Sequence, residues 1–184
     1  YILDDYSMLR DLSEEMLEET ALIFPVKDAL MYHNRTPLGG KGKGNQGDSF
    51  FIAENPTYGA VFTYHIKDKV ETRKEIRQAK DSELKEEGAD VPYPTWDELK
   101  IEDREGSPML YLEISDSNGD VVRRIKASNS SGIHRTSWDM RFASLRKAGN
   151  EPSTGSGPMV APGKYSIQLS LFNEGKINSI GNSV

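Results

Sequence analysis

Residues 164–171, Lys164-Tyr165-Ser166-Ile167-Gln168-Leu169-Ser170-Leu171, alternate apolar and polar side chains without a break. Successive side chains of a strand point to opposite faces, so Tyr165, Ile167, Leu169 and Leu171 form one apolar row and Ser166, Gln168 and Ser170 the other. A helix of period 3.6 would scatter that row around its circumference. Ala161-Pro162-Gly163 just upstream is turn chemistry. The stretch therefore reads as a half-buried strand, and the same pattern recurs elsewhere in the chain.

In Met109-Leu110-Tyr111-Leu112-Glu113-Ile114, the residues Leu110, Leu112 and Ile114 alternate with Tyr111 and Glu113. Asp116-Ser117-Asn118-Gly119-Asp120 follows, then Val121-Val122-Arg123-Arg124-Ile125. Asn-Gly between two strand-like runs predicts a hairpin in which both central residues take positive φ. Ala60-Val61-Phe62-Thr63-Tyr64-His65-Ile66 is rich in β-branched and aromatic residues, with Phe62, Tyr64 and Ile66 on one face. Gly132 to Met140 gives a further strand leading to Trp138. Short strands are also predicted at 21–24, 28–32 and 49–53. About seven strands with turn signals between them favour a β-sandwich over a βαβ sheet, with one apolar face of each strand turned inward.

Two stretches break the pattern. In residues 67–90, Lys, Arg, Asp and Glu crowd around a thin stripe of Val70, Ile76, Ala79 and Leu84. This predicts a solvent-exposed helix or helical hairpin arm, a helical insertion over 67–96 that Pro92-Tyr93-Pro94-Thr95-Trp96 ends. Residues 97–106 read as polar loop. Near the N-terminus, residues 1–12 begin like a strand end and run into a turn. Ser13 with Glu14, Glu15 and Glu18 then predicts a short capped helix, because acids in the first turn complement the helix dipole. Residues 35–48 and 146–157 read as loops.

Composition sets limits. The 184 residues are 36% hydrophobic, enough for one domain of about 100–150 residues plus ornaments. A net charge of −6 disfavours nucleic-acid backbones, which require neutralising Lys and Arg. No stretch approaches the roughly 20 apolar residues of a membrane helix. The absence of cysteine excludes disulfides, thiolate catalysis and Cys-ligated zinc. The opening Tyr1-Ile2-Leu3 starts mid-pattern, which suggests a piece of a longer chain.

Candidate sites are few. Gly42-Lys43-Gly44-Asn45-Gln46-Gly47 satisfies G-x-G-x-x-G, but the residues after it are strand-like, whereas a dinucleotide site needs a helix N-terminus there. Asp116, Asn118 and Asp120 resemble the start of a calcium loop. Glycine falls at the fourth position, however, and Ala127 stands where a bidentate Glu belongs, so a plain hairpin is expected. His33, His65 and His134 lie in separate segments without ligand spacing. No serine sits in a nucleophile-elbow pattern. No catalytic, cofactor or metal residue is assigned. Trp138 is expected to be a core anchor and Asp139 a strand-end acceptor. Tyr93 and Trp96, flanked by prolines, are the candidate ligand or packing platform; packing of the arm onto the sandwich is the plainer reading and sugar stacking the sharper one.

Three stretches occur in an order that resembles bacterial fibronectin-like modules and is similar to the immunoglobulin-like domain of flagellar hook-capping proteins. These are Tyr111–Ile114 through Asn118-Gly119 to Val122-Arg123, then Trp138-Asp139-Met140-Arg141, then Ala161-Pro162-Gly163-Lys164-Tyr165-Ser166-Ile167. Leu3-Asp4-Asp5-Tyr6-Ser7-Met8-Leu9-Arg10 resembles the segment leaving the last blade of bacterial sortilin-like β-propeller proteins, often labelled glycosyl hydrolases with BNR repeats. Asn55-Pro56-Thr57-Tyr58-Gly59-Ala60, Thr72-Arg73-Lys74-Glu75 and the Pro92–Trp96 segment also resemble that family.

The resemblance implies an immunoglobulin or fibronectin type III-like β-sandwich at 55–184, preceded by an N-terminal extension at 1–54 that ends a propeller and supplies linker strands. It implies a bacterial periplasmic or extracellular setting and a preceding β-propeller of the same chain as partner. No catalytic residue of such enzymes maps onto these positions, so a non-catalytic structural or interaction module is the main expectation. A carbohydrate-binding accessory module and a contribution of residues 1–54 to a site in the parent enzyme are the rivals.

Overall fold

The computed structural model describes residues 6–10, 12–32, 47, 49, 51, 56–144, 156–173 and 175–184. Nine strands form among them: β1 Ala21–Ile23, β2 Ala60–Ile66, β3 Met109–Ser115, β4 Val121–Ala127, β5 Gly132–Trp138, β6 Arg141–Ala143, β7 Ser156–Met159, β8 Ser166–Asn173 and β9 Lys176–Ser183. Four helices accompany them: α1 Ser7–Arg10, α2 Glu14–Glu18, α3 Arg73–Glu86 and α4 Trp96–Arg104. Strand outweighs helix, 37% against 22% of the described residues, so the protein is mainly β.

The long strands form two antiparallel sheets, ordered β1-β2-β5 and β4-β3-β8-β9. Alternation decides which face each sheet buries. In β3, Leu110, Leu112 and Ile114 are buried while the residues between them are half-buried. In β8, Ile167 and Leu169 lie directly across from Ile114 and Leu112. From the other sheet, Phe62, Tyr64, Ala21 and Ile23 join the same apolar cluster. The two sheets thus share one core, an arrangement consistent with a β-sandwich. Within one sheet, Trp138 of β5 stands beside Ala60 of β2, so the indole fills space that a bigger neighbour would occupy.

Polar groups stitch the sheets together. The Tyr64 hydroxyl accepts from the Ser128 N–H at 2.7 Å and donates to the Ser128 carbonyl at 3.3 Å, tying β2 to the end of β4. Burial pushes the Tyr64 phenol pKa up. At the other edge, the β8–β9 register steps from Leu169↔Ile180 to Gln168↔Ser183. The two extra residues form a bulge in which Gly181 takes φ +67. A Cβ there would lie 2.3 Å from the Ala21 carbonyl oxygen, so only glycine fits. The bulge turns the Asn182 amide onto β1, where it accepts from the Ile23 N–H (2.7 Å) and donates to the Ile23 carbonyl (3.0 Å). One side chain thereby joins the edges of two sheets.

Several expectations change. The Asn118-Gly119 hairpin exists, but its loop spans five residues between Ser115 and Val121. Only Gly119 takes positive φ; the Asp116 carboxylate accepts from the Asn118 and Asp120 N–H groups at 2.9 and 3.0 Å. An Asx-type turn has replaced the two-residue form. Residues 28–32 are irregular and not a strand. Residues 97–106 are not polar loop, since α4 runs to Arg104, so the helical insertion extends past 96. The expectation of about seven strands missed the short β6–β7 pair and β9. The strand expected at 49–53 lies largely outside the described residues, and Ser49 and Phe51 are not in a strand. His33, the loop over 35–46, residues 1–5 and most of the loop over 146–157 also lie outside them.

The register fixes two ends. The arm leaves β2 and enters β3 at the end that also carries the β4–β5 turn and the β8–β9 hairpin. The opposite end holds residues 24–32, the Asp116–Asp120 loop and the segment after Trp138.

Candidate functional site

The arm over α3 and α4 carries two of the three most exposed aromatic rings among the described residues, Tyr93 and Trp96, and its construction is local. Thr72 caps α3: its hydroxyl accepts from the Glu75 N–H, while the Glu75 carboxylate accepts from the Thr72 N–H at 2.9 Å. Lys69 adds an ion pair to Glu75 at 2.7 Å. Gly88 at φ +70 closes the helix, with its N–H on the Lys85 carbonyl. Thr95 and Glu98 form the same reciprocal box at the start of α4. This second Thr-x-x-Glu, read alone, is the sequence signal that residues 97–106 are helical.

One ion pair pins the helices to each other. The Arg77 guanidinium grips Glu102 through both carboxylate oxygens, at 2.7 and 2.8 Å, and reaches Asp81 at 3.1 Å. Such a fork fixes orientation as well as distance. No residue of either helix is buried. A cleft of about 470 Å³ opens between the helices, walled by Ile76, Leu84, Ile101 and the Pro92-Tyr93-Pro94 segment. A second cleft, beyond the Arg77–Glu102 pair, holds Trp96 and Leu99. Tyr93 is 90% and Trp96 79% exposed, so neither packs against the sheets, and the two rings line different clefts. The base of the arm is separated from β3 and β4 by a further gap of about 560 Å³.

The opposite end offers a different cavity, about 530 Å³, lined by Phe62, Ile114, Met140, Trp138 and Tyr165. Trp138 is 3% exposed. Its ring meets Tyr165 edge-on at 5.3 Å, and its Nε1 donates to the Arg141 carbonyl at 2.9 Å. The Tyr165 hydroxyl donates to the Ala161 carbonyl at 2.6 Å. Both polar handles are therefore engaged within the fold. Asp139 accepts from the Arg141 N–H at 3.2 Å, closing the turn in which Met140 takes a left-handed φ of +56.

Among the described residues, one histidine lies beside serines, His134 with Ser130 and Ser128 in the β4–β5 turn. His134 Nε2 lies 2.8 Å from the Ser130 carbonyl and so carries the proton it donates there. It cannot at the same time deprotonate the Ser130 hydroxyl, 3.3 Å away. His65 is buried on the outer face of its sheet beside Leu22, with no partner for Nδ1 among the described residues. Among the described residues no three His, Asp or Glu side chains gather as metal ligands. No described helix is long and apolar enough to cross a membrane.

Acid titration tests the arm. Hydrogen bonds from Lys69 and Thr72 hold the Glu75 carboxyl down at about 2. The Arg77 hydrogen bonds hold Glu102 below its ordinary value, and the Thr95 N–H does the same for Glu98. A depressed folded-state pKa stabilises the fold above the unfolded value and loses that effect as pH falls through the folded value. Helical ellipticity is therefore expected to hold from pH 7 to about 5 and to fall between about 4.5 and 2. Loss of the arm's helicity already between pH 7 and 5 would contradict these pairings.

Comparison with protein-family models, with curated proteins and with solved structures finds no match to this chain.

Proposed function

We propose that this chain is a non-catalytic structural or interaction module of immunoglobulin or fibronectin type III character, working within a larger exported protein that contains a β-propeller. The strand order carries the fold reading. In the immunoglobulin scheme the first, second and fifth strands share a sheet, and the third and the last two share the other. The order β1-β2-β5 against β4-β3-β8-β9 follows that scheme, with the fourth strand joined to the third as an extra edge. The arm then occupies the connection between the second and third strands, one of the loops such modules use for recognition.

The non-catalytic reading rests on how the polar side chains are spent. Asp116, Asp139, His134, Tyr64 and Asn182 each close a turn or join two elements. The exported setting and the propeller partner rest on the resemblance described above. A second reading, a carbohydrate-binding accessory module, is favoured by the exposed Trp96 ring flanked by Lys74, Lys100 and Asp103, since an open aromatic face beside charged hydrogen-bonding groups suits a sugar.

One pair of assays separates the readings. The module reading expects no turnover of glycosides or esters that a point mutation abolishes, and no retardation on a polysaccharide affinity gel. Retardation that Trp96→Ala removes would favour the sugar-binding reading. Turnover abolished by a single substitution would refute both.

A further inference from the structure

The arm is an incomplete helical layer. Helices the length of α3 and α4 draw most of their stability from packing an apolar face, yet Ile76 and Ile101 are 47% and 48% exposed and Tyr93 stands almost fully in solvent. These groups are not scattered. They wall one cleft, together with Leu84 and the two prolines beside Tyr93. From Arg73 to Leu84 the α3 wall is about 16 Å long at the α-helical rise, room for about three turns of another helix.

The rims of the cleft differ in sign. Arg73 and Lys80 stand on the α3 side, Glu98 on the α4 side. Arg77 bridges the two helices by pairing with Asp81 on α3 and Glu102 on α4, which leaves the three groups with one net negative charge. An apolar floor between a basic and an acidic rim matches a helix with an apolar stripe flanked by an acidic and a basic edge, the pattern that sets partners in helical bundles. We propose that the cleft receives such an amphipathic helix from a partner chain, completing a three-helix bundle on the arm. The proposal rests on the interaction-module reading and names the partner's chemistry. A second copy of this chain fits less well. Residues 67–105 carry thirteen Asp and Glu against nine Lys and Arg, so two arms repel.

The test uses three synthetic helical peptides of about 21 residues with the same Leu/Ile stripe. One has a Glu flank and a Lys flank, one Glu on both, one Lys on both. Titrated into the full chain at low salt, where rim charges are least screened, the mixed-flank peptide is expected to bind in the micromolar range and to shift the resonances of Ile76, Tyr93 and Ile101. Each uniform peptide is expected to bind at least about tenfold more weakly, and Ile101→Glu to weaken the mixed peptide by at least about tenfold. Circular dichroism of Ile101→Glu checks that the arm is still helical; if it is not, Ile76→Lys is used under the same criterion. Equal affinity for all three peptides, binding by none, or indifference to the cleft substitution overturns the proposal. So does a concentration-dependent dimer in sedimentation that shifts the same resonances, which would give the cleft to a second copy. Failure here leaves the non-catalytic reading intact, because that reading is tested by turnover.

Discussion

Trp138→Ala is expected to unfold roughly 10 °C below the wild type. The indole is 3% exposed, fills the space beside Ala60, and meets Tyr165 edge-on at 5.3 Å. Removing a buried tryptophan costs the transfer free energy of the ring and leaves a cavity, together about 4 kcal/mol. In a chain of this size each kcal/mol moves Tm by roughly 2–4 °C. The site already borders an open cavity at this end of the core, so water can enter and collapse will not repair the loss. Trp138→Phe, which keeps a ring but loses the Nε1 bond to Arg141, is expected to lose less than half as much. Equal losses for the two would mean that the hydrogen bond and not the packing carries the effect. Calorimetry on the three proteins decides.

Gly59→Ala is expected to cost about 3 kcal/mol or more, although it adds a single methyl group. Gly59 has φ +100, where an L side chain is strained, and a Cβ there would sit 1.9 Å from the Trp138 carbonyl oxygen. The clashing atom is backbone in the paired strand β5, so relief requires opening the β2–β5 ladder at Ala60↔Trp138. Backbone strain contributes about 1–2 kcal/mol and overpacking about 1–3 kcal/mol. Gly88→Ala is the control. It has a positive φ as well, +70, but no atom within 4 Å of the added methyl, so its loss is expected to be limited to about the strain alone. Denaturation midpoints that fall equally for the two variants would mean that the close approach to the Trp138 carbonyl adds nothing to the backbone strain.

The strands that were legible from sequence are those whose side chains alternate because one face is buried. Leu110, Leu112 and Ile114, or Ile167 and Leu169, declare a face by period alone. Strand β9 does not. Of Lys176–Ser183 only Ile177 and Ile180 are apolar, because this edge strand is stabilised by main-chain pairing with β8 and the Asn182 clasp on Ile23, neither of which leaves a composition signal. The α4 helix was legible in principle, since Thr95 and Glu98 spell a capping box, but the prolines at 92 and 94 and the charge of 97–106 pointed to loop. In the hairpin, the Asp116 side chain, not the Asn118 backbone, set the turn.

The candidate site divides in the same way. Tyr93 and Trp96 could be named from sequence because aromatics in a proline-punctuated stretch rarely build a sheet. That they face different clefts could not, because it follows from Arg77 reaching Glu102, a partner 25 residues away. Long-range ion pairs of this kind leave no periodicity to read. The Trp138 carbonyl against Gly59 is equally silent in sequence, although the glycine itself marks a turn.

The apolar rows of the two sheets face each other across one core, and the arm stands outside it. Methyl–aromatic nuclear Overhauser contacts measure this directly. Contacts are expected from the rings of Phe62 and Tyr64 to methyl groups of Leu112, Ile114 or Leu169 in the opposite sheet, and none from those rings to Ile76, Leu84 or Ile101. Contacts linking the Phe62 or Tyr64 rings to the arm methyls, with none to β3 or β8, would overturn this packing.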